Sequence, residues 1–264
     1  MSISNGGNQM SQVMSFIMAV VTYLMSLVTA IPTFVNAVKH NNDLSWIVTE
    51  ATTHEVSYDV LEAYYQENYI PKEKFKDANP ANYKDVTEQY QALLDENLEI
   101  AKKWRTNPGK GQIEFYNSVK NFGVWDYKRE DAHADIAKAW GIGVHDLFTV
   151  YGVVMDWEVF GNINFAMTGA ACGFTPITIY TGGGLVNIKN GYADWSEMEV
   201  YFDSEEDHSW ISLGLGLYAL CDDNYVEQCE LIDSLLTIAD TRIIGAAYKF
   251  YLDHGKTDVV KLPA

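Results

Sequence analysis

Hydrophobic and polar positions along the chain fall into blocks of helical period, broken by short polar stretches. From Val13 to Val35 the sequence is almost wholly apolar, about 23 residues and long enough to span a hydrocarbon core as a helix. Its few small or hydroxylated residues, Ser15, Ala19, Thr22, Ser26 and Thr29, recur at alternating spacings of four and three and share one helix face. Pro32 ends or kinks the segment. A second helix is expected from Leu44, capped by Asn42 or Asp43, with Trp46, Ile47, Glu50, Val56, Val60, Leu61 and Tyr64 along it. Pro71 to Pro80 reads as a solvated connection. Val86, Tyr90, Leu93, Asn97, Ile100 and Trp104 form the seam of a further helix, stopped by Asn107-Pro108-Gly109.

The pattern then changes. A short amphipathic helix is expected over residues 113–122, with Phe115, Val119 and Phe122 turned inward. Arg129 to Asp135 starts another helix, running to Trp140-Gly141. Residues 160–174 hold two amides and three glycines in a run that suits neither a helix nor a strand. Ile177-Thr178-Ile179-Tyr180, a glycine-rich turn and Leu185-Val186-Asn187-Ile188 predict a β-hairpin. Ser204 caps a helix through Trp210, Ile211, Leu213, Leu217 and Leu220, with Asp207 at its third position. The last helix is expected from about Asp223 to His254-Gly255, burying Cys229, Ile232, Leu236, Ala239, Ile243, Ala246 and Phe250. The fold expected is therefore mainly α with a small β-hairpin or sheet element (α+β), behind an N-terminal hydrophobic helix. Residues 1–40 form a hydrophobic membrane-spanning or partner-docking helix, and 41–264 form one further domain.

Charge alters this picture in one respect. The 264 residues carry 36 acidic and 18 basic side chains, a net charge of −18 that opposes binding to phosphate backbones in general. Locally the balance reverses: between Lys102 and Arg129 seven basic residues face only Glu114 and Asp126. Residues 1–38 carry no charge, and a cleavable signal peptide would need a basic start that is absent here. Cys172, Cys221 and Cys229 form no metal-binding spacing and read as buried small side chains. His133, Asp135, His145 and Asp146 lack the spacing of a metal site, so no metal and no cofactor is expected. Glu50 and His54, four apart, read as a surface pair.

Chemistry concentrates in Trp125-Asp126-Tyr127-Lys128 and in Gly161-Asn162-Ile163-Asn164-Phe165. Together with Phe115-Tyr116, with the run to Phe174, and with Asp203-Ser204-Glu205-Glu206-Asp207-His208, these stretches resemble the bacterial polymorphic toxin type 44 domain over about residues 44–222. Trp46-Ile47-Val48-Thr49-Glu50 resembles an early element of that family. The family's Tyr-Gly is replaced here by Phe165-Ala166, and a basic residue often found there is replaced by Ala170. The resemblance implies a secreted toxin, delivered by a bacterial secretion or injection system. An immunity protein would be one partner. A chaperone or injection-system component bound through residues 10–38, or a target membrane, would be another.

Three functions remain open at this level. A hydrolase of the cell-envelope glycan would use Glu50 as acid, Asp126 as its carboxylate partner and Lys128 beside them. Its substrate would be held by Trp125, Asn162, Asn164, Asp203 and Asp207. A ribonuclease would use Lys128 and Arg129 on phosphate, with Asp126, His133 or His145 moving protons. A non-enzymatic, membrane-inserting cargo protein would need none of these residues.

Overall fold

The structure is a computed structural model, and it describes residues 56–107, 110–176, 178–183, 204–222, 225, 246–247, 249–251 and 253–254. The chain divides into two compact units, residues 1–51 and 52–264, and every described residue belongs to the second. The expected N-terminal helix, Glu50 with His54, Asp203 and most of the final helix lie outside the described residues.

Helix α1 (Tyr58–Asn68) buries Val60, Leu61, Tyr64 and Tyr65. The helix expected to run on through Tyr64 is interrupted at Ser57, whose extended backbone makes it the N-cap of α1; residues 44–55 lie outside the described residues. A two-residue strand β1 (Lys84–Asp85) leads into α2 (Thr87–Arg105). The Asp85 carboxylate accepts from the Thr87 amide and hydroxyl, and Lys102, Lys103 and Arg105 meet the negative end of the helix dipole. Helix α3 (Lys110–Val119) buries Phe115 but not Phe122, which lies beyond its end and is 73% exposed. Helix α4 (Glu130–Trp140) ends at Gly141, whose φ of 68° supplies the left-handed cap.

The sheet is small and its hairpin lies elsewhere than the sequence suggests. Strands β2 (Phe148–Val150) and β3 (Val153–Met155) pair antiparallel, with Phe148 opposite Met155, and β1 adds in parallel to β2. Tyr151 and Gly152 make the turn with φ of 48° and 76°, two left-handed residues that match the twist of the strands. All six strand residues of the hairpin are buried, so the alternation that signals a half-exposed strand is missing. The hairpin expected around residues 177–188 is not formed in its first half: Pro176 and residues 178–183 are helical.

At the centre of the unit, α5 (Trp157–Ala171) packs most extensively on α6 (Glu205–Cys221) and next on α2. The glycine- and asparagine-containing run expected to be irregular is thus the middle of a helix. Asp156 caps it by accepting from the amides of Glu158 and Val159 at 3.1 Å. Burial on nearly every face overrides weak propensity here. Its glycines allow close approach: a Cβ on Gly169 would lie 3.2 Å from Ile179, and one on Gly214 of α6 would lie 2.8 Å from both Ala166 Cβ and the Ile163 carbonyl oxygen.

Candidate active site

Three residues singled out in the sequence meet where α5 passes the first turn of α6. The Asn162 side-chain amide donates to Oδ1 of Asp207 at 2.5 Å, and Lys128 Nζ lies 3.4 Å from Oδ2 of the same carboxylate. Asp207 sits in the first turn of α6, where its own amide donates to the Ser204 cap at 3.0 Å. Exposed amides and the helix dipole make this a favourable place for a carboxylate. Lys128 can approach because Gly161 carries no side chain; a Cβ there would lie 3.3 Å from Lys128 Cγ. The Asp207 side chain is 15% exposed and that of Lys128 is 40% exposed, so solvent reaches the cluster.

The neighbouring motif residues are committed to the scaffold. Oδ2 of Asp126 accepts from the Phe122 amide at 3.0 Å, and Phe122 itself has a φ of 67°. Asp126 therefore closes a turn, while Lys128 pairs with Asp207 and not with its near neighbour in sequence. Trp125 is buried against Trp104, with ring centroids 4.9 Å apart. Asn164 is fully buried; its Oδ1 accepts from Asn97, whose amide also donates to the Tyr127 hydroxyl. This network ties α2 to α5 and to the 123–128 turn. The signal for it was the single asparagine in the apolar seam of α2. Nδ2 of Asn164 has no hydrogen-bond partner among the described residues. Burial pushes the Tyr127 hydroxyl up to about 12, despite the opposing hydrogen bond from Asn97.

His133 holds no ligand position. Nδ1 lies 2.9 Å from the Tyr127 carbonyl oxygen and Nε2 lies 3.0 Å from that of Val144, while the ring stacks on Trp157. His145 is exposed 3.8 Å from Glu130, and Asp146 accepts from the Gly143 amide. Among the described residues no group of three metal-binding side chains comes together. Beside Asp207, His208 stacks on Tyr180 with ring centroids 4.4 Å apart.

The family model described as bacterial toxin 44 matches residues 114–220. Over that stretch the chain is similar to bacterial toxin 44 domains. It runs from α3 through α6 and contains Lys128, Asn162 and Asp207, but it stops short of the 44–113 segment, and so of Glu50. No curated protein and no solved structure matches the chain.

Within the matched stretch, Phe165, Ala166 and Ala170 have a common physical setting. Ala170 is 0% exposed, inside the helix packing, where a basic side chain would have no route to water. Ala166 presses its Cβ towards Gly214, and the half-buried Phe165 ring lies beside Phe115 and Gly182. Among the described residues no helix is long and apolar enough to cross a membrane.

Proposed function

We propose that this toxin domain acts as a hydrolase of the cell-envelope glycan, with Asp207 as the working carboxylate. The carrying observation is the carboxylate met by Asn162 on one oxygen and, at a longer 3.4 Å, by Lys128 on the other. That loose second contact leaves Oδ2 able to take a proton from a water molecule attacking the sugar carbon. The water oxygen bonds to that carbon as the glycosidic C–O bond breaks, and the leaving oxygen takes a proton from an acid. Asn162 holds Asp207 in one rotamer, and Lys128 supplies positive charge beside it. The net charge of −18 supports an uncharged sugar polymer over a polyphosphate.

One observation favours a ribonuclease instead: the seven basic residues between Lys102 and Arg129, with Lys128 among them, give phosphate a local foothold. The test applies the full chain to purified peptidoglycan sacculi and, separately, to total RNA. Release of muropeptides by the wild type, lost in Asp207→Asn, is the expected result. RNA cleavage without muropeptide release overturns the glycan reading, and no product from either substrate favours a non-enzymatic cargo protein.

A further inference from the structure

The turn that precedes Lys128 is built to hold an aromatic ring in water. Phe122 is 73% exposed and its backbone sits at a φ of 67°, a conformation costly for a bulky residue. The Asp126 carboxylate holds it there through the Phe122 amide. Nothing in core packing requires this, since the ring points away from the core. Arg129 lies 3.9 Å over one face of the ring and also hydrogen-bonds Asp131 through Nε at 3.2 Å. Phe122, Gly123, Val124, Arg129, Asp131 and Ala132 line an open recess of about 300 Å³. Earlier in the chain, on α3, Tyr116 is a second exposed ring, 53% accessible.

We infer that this recess is a glycan-gripping subsite, separate from the Asp207 cluster, that takes the sugar strand of the same substrate. The inference rests on the glycan reading above. Its chemistry is that of sugar recognition: an apolar ring for the C–H face of a pyranose, beside a planar guanidinium and a carboxylate that can hydrogen-bond neighbouring hydroxyls. Arg129 and Asp131 pair with each other across the recess, so its lining carries no net charge and suits an uncharged sugar better than a phosphate backbone. Arg129 directly follows Lys128 in the chain, so one long polymer can engage both places. The exposed ring of Phe122 thus takes the role that the sequence suggested for Trp125, whose ring is buried.

The conformation of Phe122 supplies a decisive variant. Glycine adopts this φ freely, so Phe122→Gly removes the ring while relieving strain. The full chain is tested by co-sedimentation with purified sacculi, by hydrolysis of sacculi and of a soluble chito-oligosaccharide, and by gel shift with single-stranded RNA. Phe122→Gly is expected to unfold at a melting temperature no lower than the wild type and to bind sacculi roughly fivefold more weakly. It should keep its rate on the short soluble substrate. Asp131→Asn should weaken sacculus binding in the same direction. Wild-type binding to sacculi by Phe122→Gly overturns the subsite while leaving the Asp207 reading standing. A wild-type chain that neither binds nor cleaves sacculi overturns both. RNA binding that depends on Phe122 overturns the choice of occupant.

Discussion

The Asn162 amide donates to Asp207 at 2.5 Å, joining the middle of α5 to the first turn of α6. Asn162 is buried and Asp207 nearly so, which makes the contact directional and hard for water to replace. Asn162→Ala should lower stability by about 1–2 kcal/mol. It should also lower kcat on sacculi more than it raises KM, because the carboxylate loses its fixed rotamer. Asp207→Asn should abolish turnover while retaining the helical circular dichroism spectrum. Full activity in Asp207→Asn removes the proposed site.

The α5–α6 crossing depends on a missing side chain. A Cβ on Gly214 would lie 2.8 Å from the Ile163 carbonyl oxygen, a backbone atom with little freedom to move. Gly214→Ala should cost about 1–3 kcal/mol in urea unfolding. Ala166→Gly in that background should recover part of the loss, since the Ala166 Cβ is equally close. Purely additive effects would show that the two positions do not share the contact.

Lys72 couples stability to alkaline pH. Its ammonium is buried between Asp156, at 2.7 Å, and Glu158, and it lies 5.3 Å from the Trp210 ring. Burial alone would lower its pKa, but the hydrogen bonds and charges of the two carboxylates outweigh it and the pKa is raised. A raised lysine pKa contributes stability that is complete below the unfolded value of about 10.4 and is lost as pH rises through the folded value. Buried tyrosines such as Tyr127, pushed up to about 12, add loss in the same direction. Stability should therefore fall above about pH 10. Lys72→Met should cost about 3 kcal/mol at pH 7 and should fall less steeply above pH 10 than the wild type. Parallel pH profiles for the two proteins would contradict the linkage.

The cysteines should be chemically quiet. Burial pushes the Cys172 thiol up to about 11, against the pull of Arg105, and the Cys221 thiol up to about 12. In a Cys221→Ser/Cys229→Ser variant, Cys172 should react with a thiol-specific disulfide reagent at pH 8 about a hundredfold more slowly than free cysteine. Denaturant should restore the full rate. Rapid labelling of the native variant would show that the thiol is accessible.

Where the signal was local, the structure follows the sequence closely. The Ser204 cap with the Asp207 amide, the Gly141 stop and the start of α4 after Arg129 all depend on interactions within one turn. The middle of α2 was visible from its period, although Leu94, Leu98 and Ala101 are buried where Leu93, Ile100 and Trp104 are only partly so. The final helix is offset in the same way, with Ala247 buried and Ala246 exposed. Such offsets of one residue arise because a stripe of apolar residues is wider than the face that finally makes contact.

The sequence by itself determined the α+β class, the stop of α2, both ends of α4, the start of α6, and the membership of Lys128, Asn162 and Asp207 in one set of special residues. Only the tertiary structure decided which of that set meet. Asp126 and Lys128 are two positions apart, yet one closes the Phe122 turn and the other crosses to Asp207, 79 residues away. Residues 157–171 are helical against the propensity of their own sequence because α2 and α6 cover them, and the glycines that weaken an isolated helix are what let these neighbours approach. The hairpin at Tyr151-Gly152 was hidden for a related reason: burial on both faces erases the alternation by which a strand is recognised.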